Sequence, residues 1–258
     1  EASELGDAAR IGGGSLRSSR SGVDPSVDDR LFRAEAERGA DVLLSRFDAA
    51  ALVPVVSGEQ PLYVHVERAS DIRSALALTR EFPRLDMVLV GASEGWLVAN
   101  EIAAAGVPVI ADGLDDLPSG FDQLAATQSN IGRMVKAGVK VAINASAMED
   151  PRRLPQHAGN LVALTKVLGA DGLSWGQAFA AISSIPAEIS GYGGRAGVLK
   201  AGAMGDVVIW DGDPLEVGSV PTRVFIGGVD QPLDNHQSRL KERYRDLDES
   251  DLPKAYDW

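Results

Sequence analysis

The stretch PLYVHVERASDIRSALAL, residues 61–78, contains a short apolar run followed directly by a helical pattern. The run PLYVHV predicts a strand that is covered on both faces, with His65 near its end. A helix is predicted to start near Ser70, and its apolar positions share one face: Ile72, Ala75 and Leu76. A buried strand that leads into an amphipathic helix is the repeating unit of a parallel α/β sheet.

The same unit recurs downstream. The runs DMVLVGA, VPVIAD and VKVAINAS predict three more buried strands. The helices between them are predicted to end at Gly106 and Gly138, since glycine favours the left-handed cap position. Further on, Ser174 and Gln177 form a capping-box pattern that predicts another helix start. Four parallel strands with right-handed connections amount to half of an eight-stranded barrel.

Composition changes divide the chain into four predicted parts. Residues 1–44 are rich in Gly, Ser and Arg and are predicted to form a loop or arm. Residues 45–196 hold the half-barrel. Residues 197–232 contain extended segments joined by the acidic run DGDP, which predicts a small β unit with a hairpin turn at the Asp-Gly step. Residues 233–258 predict a charged helix and a frayed tail.

The charge balance restricts the partners. The 258-residue chain has a net charge of -12, so nucleic acid and anionic membranes would be repelled, and a small molecule or a protein is favoured. The chain has no cysteine, which excludes disulfides, a thiol nucleophile and thiolate metal sites. It has no run of 18 apolar residues, so no membrane insertion is predicted.

One stretch resembles a known family. GRAGVLKAGAMGDVVIWDGDPLEV, residues 194–217, resembles the amidohydrolase superfamily pattern Gly-x-Leu-x-x-Gly-x-x-Ala-Asp-Leu-Val-Val-Trp followed by Asp-Gly-Asp-Pro. SSIPAEISGY, residues 183–192, is similar to the helix that precedes that pattern. The strand regions beginning at residues 64, 91 and 136 are similar to the fifth to eighth barrel strands of imidazolonepropionase-like members. The resemblance covers about residues 45–245.

The resemblance implies a fold and a partner. The chain would be the C-terminal half, strands five to eight, of a metal-dependent-hydrolase (β/α)8 TIM barrel, with the C-terminal strands of a small β-sandwich domain. The exposed edges of a half-barrel would be unstable alone. The N-terminal half of the same barrel is therefore the expected partner, as a separate chain or as a cleaved segment.

The resemblance also implies metal ligands, which can be compared position by position. The family uses a His-x-His pair on strand one, a Lys or Glu on strand four, histidines on strands five and six, and an Asp on strand eight. His65 matches the strand-five ligand, whereas the strand-six histidine falls on Gly91 and the strand-eight Asp falls on Ser146. The implied cofactor is a divalent metal such as zinc, and the alternative left open is that no metal binds.

The candidate pocket comprises six residues near predicted strand ends: His65, Glu67, Gly91, Asp112, Asn144 and Ser146. Glu67, Asp112 and Asn144 could act as oxygen ligands, although acidic and amide residues are common in such loops by chance. His65 is either a retained metal ligand or pocket group, or a histidine whose nitrogens are satisfied by packing. His157 is interpreted as a capping or surface residue.

The resemblance leaves two functions open. The first is metal-assisted hydrolysis of a C–N bond, in an amide or a cyclic amide, once the N-terminal half completes the barrel. The second is a catalytically silent binding or scaffold subunit that has lost most of the metal ligands. A small-molecule substrate is expected in the first case. A periplasmic or exported location is favoured over the cytoplasm, because many such relatives are exported and the absence of cysteine permits either.

Overall fold

A computed structural model describes residues 46–145 and 151–245 of the chain. The predicted arm at residues 1–44, the candidate pocket residue Ser146 and the last thirteen residues of the predicted tail lie outside the described residues. The chain enters the described region through two short helices, α1 (Arg46–Ala51) and α2 (Val53–Val56).

A four-stranded parallel sheet forms the centre of the fold. Its strands are β1 (Leu62–Val66), β2 (Met87–Gly91), β3 (Val109–Ala111) and β4 (Val141–Ile143), and they pair in chain order. The register places His65 opposite Val90 and Val66 opposite Gly91. All four strands predicted from the apolar runs are therefore present, in the parallel arrangement predicted for them.

Helices connect the strands and cover one face of the sheet. The connections contain α3 (Ala69–Glu81), a 3-10 turn (Gly95–Val98) with α4 (Ala99–Ala105), and α5 (Asn130–Lys136). Ile72, Ala75 and Leu76 of α3 are buried as predicted. After β4 follow a 3-10 turn (Pro151–Arg153), α6 (Leu154–Ala163), a second such turn (Leu164–Lys166), α7 (Trp175–Ala181) and α8 (Ser184–Ile189).

Strand alternation separates two environments. Leu62, Val64, Met87, Leu89, Val109 and Val141 pack with the helices into one hydrophobic core. Alternate residues point to the opposite face, where Tyr63 and His65 are exposed. In a closed barrel this opposite face is the interior. The fold is a partial TIM-barrel-type α/β structure.

The C-terminal region forms a second, antiparallel sheet. It consists of β5 (Val207–Trp210), β6 (Pro221–Ile226) and β7 (Val229–Gln231), in that order, followed by α9 (His236–Arg243). The tight hairpin lies at Gly227 and Gly228, which both have positive φ. DGDP lies in the connection between the antiparallel strands β5 and β6, but the predicted tight turn at Asp-Gly was wrong, because ten residues separate the two strands and Gly212 is not among the described glycines with positive φ.

The predicted capping box is present at the start of α7. The Ser174 side chain accepts a hydrogen bond from the Gln177 backbone N–H, and the Gln177 side chain accepts one from the Ser174 backbone N–H. The indole Nε1 of Trp175 then donates to both carboxylate oxygens of Asp213, at 3.0 and 2.9 Å. These bonds connect α7 to the loop after β5. Across the described ranges, no helix is long and apolar enough to span a membrane.

Candidate functional site

The candidate residues lie at the carboxyl ends of the parallel strands. Glu67 follows β1, Asp112 follows β3 and Asn144 follows β4, while His65 is the penultimate residue of β1. Each continues the alternation of the sheet face that the helices leave open. Parallel strands end at one edge of a sheet, so these four predicted residues are brought to the same region, together with Gly91 at the end of β2.

Glu67 is the most enclosed acidic group of this region. Its side chain is only 6% exposed, and its Oε1 lies 3.3 Å from Nε2 of His65, whose side chain is 73% exposed. Its Oε2 accepts hydrogen bonds from the Ser93 backbone N–H at 2.9 Å and from Ser93 Oγ at 2.7 Å. A buried carboxylate is tolerated when it is paired and hydrogen-bonded in this way. The histidine therefore keeps an accessible ring beside a fixed carboxylate.

Two left-handed residues bring Ser93 to Glu67. Gly91 has φ 88° and Ala92 has φ 53°, and Ala92 is the one described non-glycine residue with positive φ. The Ala92 N–H still bonds to the Val66 carbonyl, at 2.7 Å, so the turn begins where the β1–β2 ladder ends. A non-glycine residue in this conformation stores about 1–2 kcal/mol of strain, and such strain is concentrated at functional sites.

Gly91 has a second constraint. A Cβ added to it would overlap Oε1 of Glu67 and would lie 2.7 Å from Cδ of the same side chain. Glu67 therefore occupies the space in which any side chain at position 91 would begin. Gly91 is a close neighbour of the site, but it has no side chain to offer a ligand.

Asp112 and Asn144 form the other half of the region. Burial raises the pKa of the Asp112 carboxyl, and the charges of Asp115 and Glu67 act in the same direction, while a hydrogen bond from Asn144 and the charge of His65 oppose them. Oδ1 of Asp112 is buried and has no hydrogen-bond partner among the described residues. The pKa of Asp112 thus depends on four of the surrounding polar side chains.

Two polar residues that the sequence analysis missed hold the loops around the site. Glu94, which is buried, accepts from the Ala69 N–H at 3.0 Å and from the Ala125 N–H at 3.1 Å. Asn130, also buried, donates to the Ala92 carbonyl at 2.9 Å and accepts from the Trp96 N–H at 3.0 Å. The polar run of Ser93 and Glu94 directly after a buried strand was the available sequence signal.

His157 differs from its prediction as a capping or surface residue. It lies inside α6, its ring is partly buried, and its Nδ1 is buried without a hydrogen-bond partner in the part of the chain that the structure describes. A Cβ on Gly113, the residue after Asp112, would lie 3.9 Å from this nitrogen. His157 therefore borders the β3 end of the region.

Comparisons with known proteins show similarity to amidohydrolases. No family model matches the chain. The chain is 45% identical over 60 residues, 23% of its length, to the amidohydrolase tasK of Hapsidospora irregularis, of which this covers 6%. The amidohydrolase from Thermotoga maritima superposes with a TM-score of 0.63, at 23% identity over 76% of this chain and 49% of the other. The chain therefore resembles amidohydrolases, in sequence over 60 residues and in fold over 76% of its length.

Two further solved structures superpose less closely. An amidohydrolase shares 17% identity over 72% of this chain and 49% of its own, with a TM-score of 0.48. A prolidase solved with N-methylphosphonate-L-proline shares 17% identity over 70% of this chain and 47% of its own, with a TM-score of 0.49. The chain spans about half the length of the solved structures that it matches, and a small part of the curated relative.

The described side chains of this chain do not fit a metal centre on their own. Within residues 46–145 and 151–245, no three His, Asp or Glu side chains converge closely enough to hold a metal ion. Both oxygens of Glu67 already have partners, in His65 and Ser93. A tight zinc site needs about four ligands. A metal site in this region would require ligands from outside the described residues.

Proposed function

We propose that this chain binds a small molecule at the carboxyl ends of β1 to β4 through polar side chains, without building a catalytic metal centre from its own residues. The supporting observation is the position of Glu67 against Gly91. A carboxylate held by Ser93 fills the space where the resemblance would place the strand-six histidine. This replacement favours the binding function over a metal-dependent one.

The polar groups limit the chemistry of the ligand. The exposed ring of His65 and the side chains of Asp112 and Asn144 offer hydrogen-bond donors and acceptors. Three carboxylates, those of Glu67, Asp112 and Asp115, are close enough to interact electrostatically. This charge would repel an anion, so an uncharged or cationic ligand such as an amide is favoured.

Metal analysis of the purified native protein by plasma mass spectrometry tests this proposal. We expect much less than one zinc or similar ion per chain, and the same content in His65→Gln. The matched control is His236→Gln, because His236 is exposed at the start of α9. About one ion per chain that is lost in His65→Gln, but kept in His236→Gln, would contradict the proposal.

A second candidate is hydrolysis of a C–N bond by a complete barrel. The observation that favours it is His65, which matches the strand-five ligand position and keeps a largely exposed ring. The outer strands β1 and β4 each have one partner in the four-stranded sheet, so an N-terminal half could pair with them. That half would also complete a β-sandwich with β5 to β7, and it would have to supply the missing metal ligands.

This second candidate has a separate test. Measurement of the intact mass of the native assembly should reveal a companion segment. The metal-loaded assembly should hydrolyse amide or cyclic amide substrates. His65→Gln should then lower both the metal content and the rate. A complete assembly that holds no metal and hydrolyses none of these substrates would leave the binding function as the remaining proposal.

A further inference from the structure

The loop between β3 and α5, residues 112–129, extends from the end of β3 to the end of β1. Nη2 of Arg68 donates to the Phe121 carbonyl at 2.9 Å. Arg68 directly follows Glu67 at the end of β1, whereas the loop starts at the end of β3. Because β2 lies between these two strands, the loop must return past the end of β2 to reach β1. It therefore borders the strand ends that carry His65 and Asp112.

Two buried side chains hold the middle of this loop in place. Glu94 accepts from the Ala125 N–H at 3.1 Å with one oxygen, and it holds the start of α3 with the other. The indole Nε1 of Trp96 donates to the Ala125 carbonyl at 2.8 Å. With the Arg68 contact, three side chains from the ends of β1 and β2 hold one loop. These hydrogen bonds hold the middle of the loop, while Leu114 near its start packs against the hydrophobic core.

The same loop displays large apolar side chains. Phe121 is 85% exposed, Leu117 is 79% exposed and Leu124 is 65% exposed. Single exposed apolar residues are ordinary, but three within eight positions on a loop held at the edge of a polar site form a local apolar surface. Loops at the carboxyl ends of barrel strands carry specificity, so this position has a functional consequence.

We infer that Phe121, with Leu117 and Leu124, forms an apolar wall of the small-molecule site and selects ligands that carry an apolar group beside their hydrogen-bonding group. This inference rests on the proposed function. The ligand is a small amphipathic molecule, because one side of the region is polar and acidic, and the loop side is apolar. Phe121 is then the principal specificity-determining residue, since it has the largest exposed ring on the loop.

Two amides of different apolar size test the inference on the full chain in its native assembly. Benzamide and acetamide share the polar group and differ in the aromatic ring. Binding of each is followed by imidazole 15N shifts of His65, with Phe121→Ala as the variant. Leu168→Ala is the matched control, because Leu168 is a fully exposed apolar residue in a different connection, the one between α6 and α7.

We expect benzamide to bind more tightly than acetamide, and Phe121→Ala to reduce that preference by about tenfold, which is the scale of burying part of an aromatic ring. Leu168→Ala should keep the preference. An unchanged preference in Phe121→Ala, with His65 still responding to both amides, would overturn the inference and leave the proposed function standing. No response of His65 to either amide would overturn both.

Discussion

The carboxylate of Glu67 lies against Gly91, in the space that the Cβ of a side chain at position 91 would need. Ser93 holds Oε2 of this carboxylate with its backbone N–H and its hydroxyl, at 2.9 and 2.7 Å, and His65 lies 3.3 Å from Oε1. Polar side chains from the ends of the neighbouring strands β1 and β2 thus form one hydrogen-bonded cluster. In the sequence, Gly91 stands where the resemblance places a histidine ligand. In the fold, Glu67 fills the space beside it, so this position requires a glycine.

Gly91→Ala should be strongly destabilising. Its positive φ costs an alanine about 1–2 kcal/mol, and the overlap with Glu67 should add about 1–3 kcal/mol. Gly106→Ala is the matched control, because Gly106 also has positive φ but has open space around it. Urea unfolding should therefore show a clearly larger loss for Gly91→Ala than for Gly106→Ala.

The steric part of this prediction can be isolated. In a Glu67→Ala background, Gly91→Ala should cost less than it does in the wild-type chain, because the overlapping carboxylate is gone. Equal costs in the two backgrounds would mean that the strain of the backbone alone accounts for the effect.

Asn130→Ala should lower the free energy of unfolding by about 1–3 kcal/mol, because it leaves the partly buried Trp96 N–H without its partner and removes one of the two hydrogen bonds to the Ala92 carbonyl, which keeps the bond from the Gly95 N–H. Asn160→Ala, on the exposed side of α6, should change it little. Thermal unfolding of both variants measures the difference. A neutral Asn130→Ala would show that solvent replaces both bonds.

Asp112→Asn should change stability in a pH-dependent way. The pKa of Asp112 is raised in the folded state, chiefly by burial, so the folded chain binds this proton more tightly than the unfolded chain does. The contribution of Asp112 to stability is therefore lost as the pH rises from the ordinary aspartate pKa through the raised one. Urea unfolding at both pH values should therefore show that Asp112→Asn is more stable, relative to wild type, at pH 7 than at pH 3.5. An identical difference at both pH values would contradict the raised pKa.

Glu94→Gln should release the loop that carries Phe121. The amide group of Gln would face one of the two backbone N–H donors that now bond to Glu94, and loss of a bond to a charged acceptor costs about 1.5–3 kcal/mol. Chymotrypsin should then cleave faster after Phe121 and Leu124. Glu101→Gln is the control, because Glu101 pairs with Arg73 on the exposed surface and should not affect cleavage. Equal cleavage rates in both variants would show that Arg68 and Trp96 suffice to hold the loop.

The strands and main helices could be predicted from local patterns. Ile72, Ala75 and Leu76 are buried as their spacing indicates, and Gly106 caps α4 with φ 67°. His157 was misjudged, since its position in a helix does not reveal what packs against it.

The parallel sheet of this chain follows from its sequence, because the period of apolar residues decides which faces are buried. The order of the strand ends also follows, and with it the expectation that His65, Glu67, Asp112 and Asn144 meet. The exclusion of a side chain at Gly91, and the anchoring of the Phe121 loop by Arg68, Glu94 and Trp96, depend on atoms brought together from distant parts of the chain. Such contacts exist only once the strands pair in register, since distances between side chains are set by packing and have no local signature.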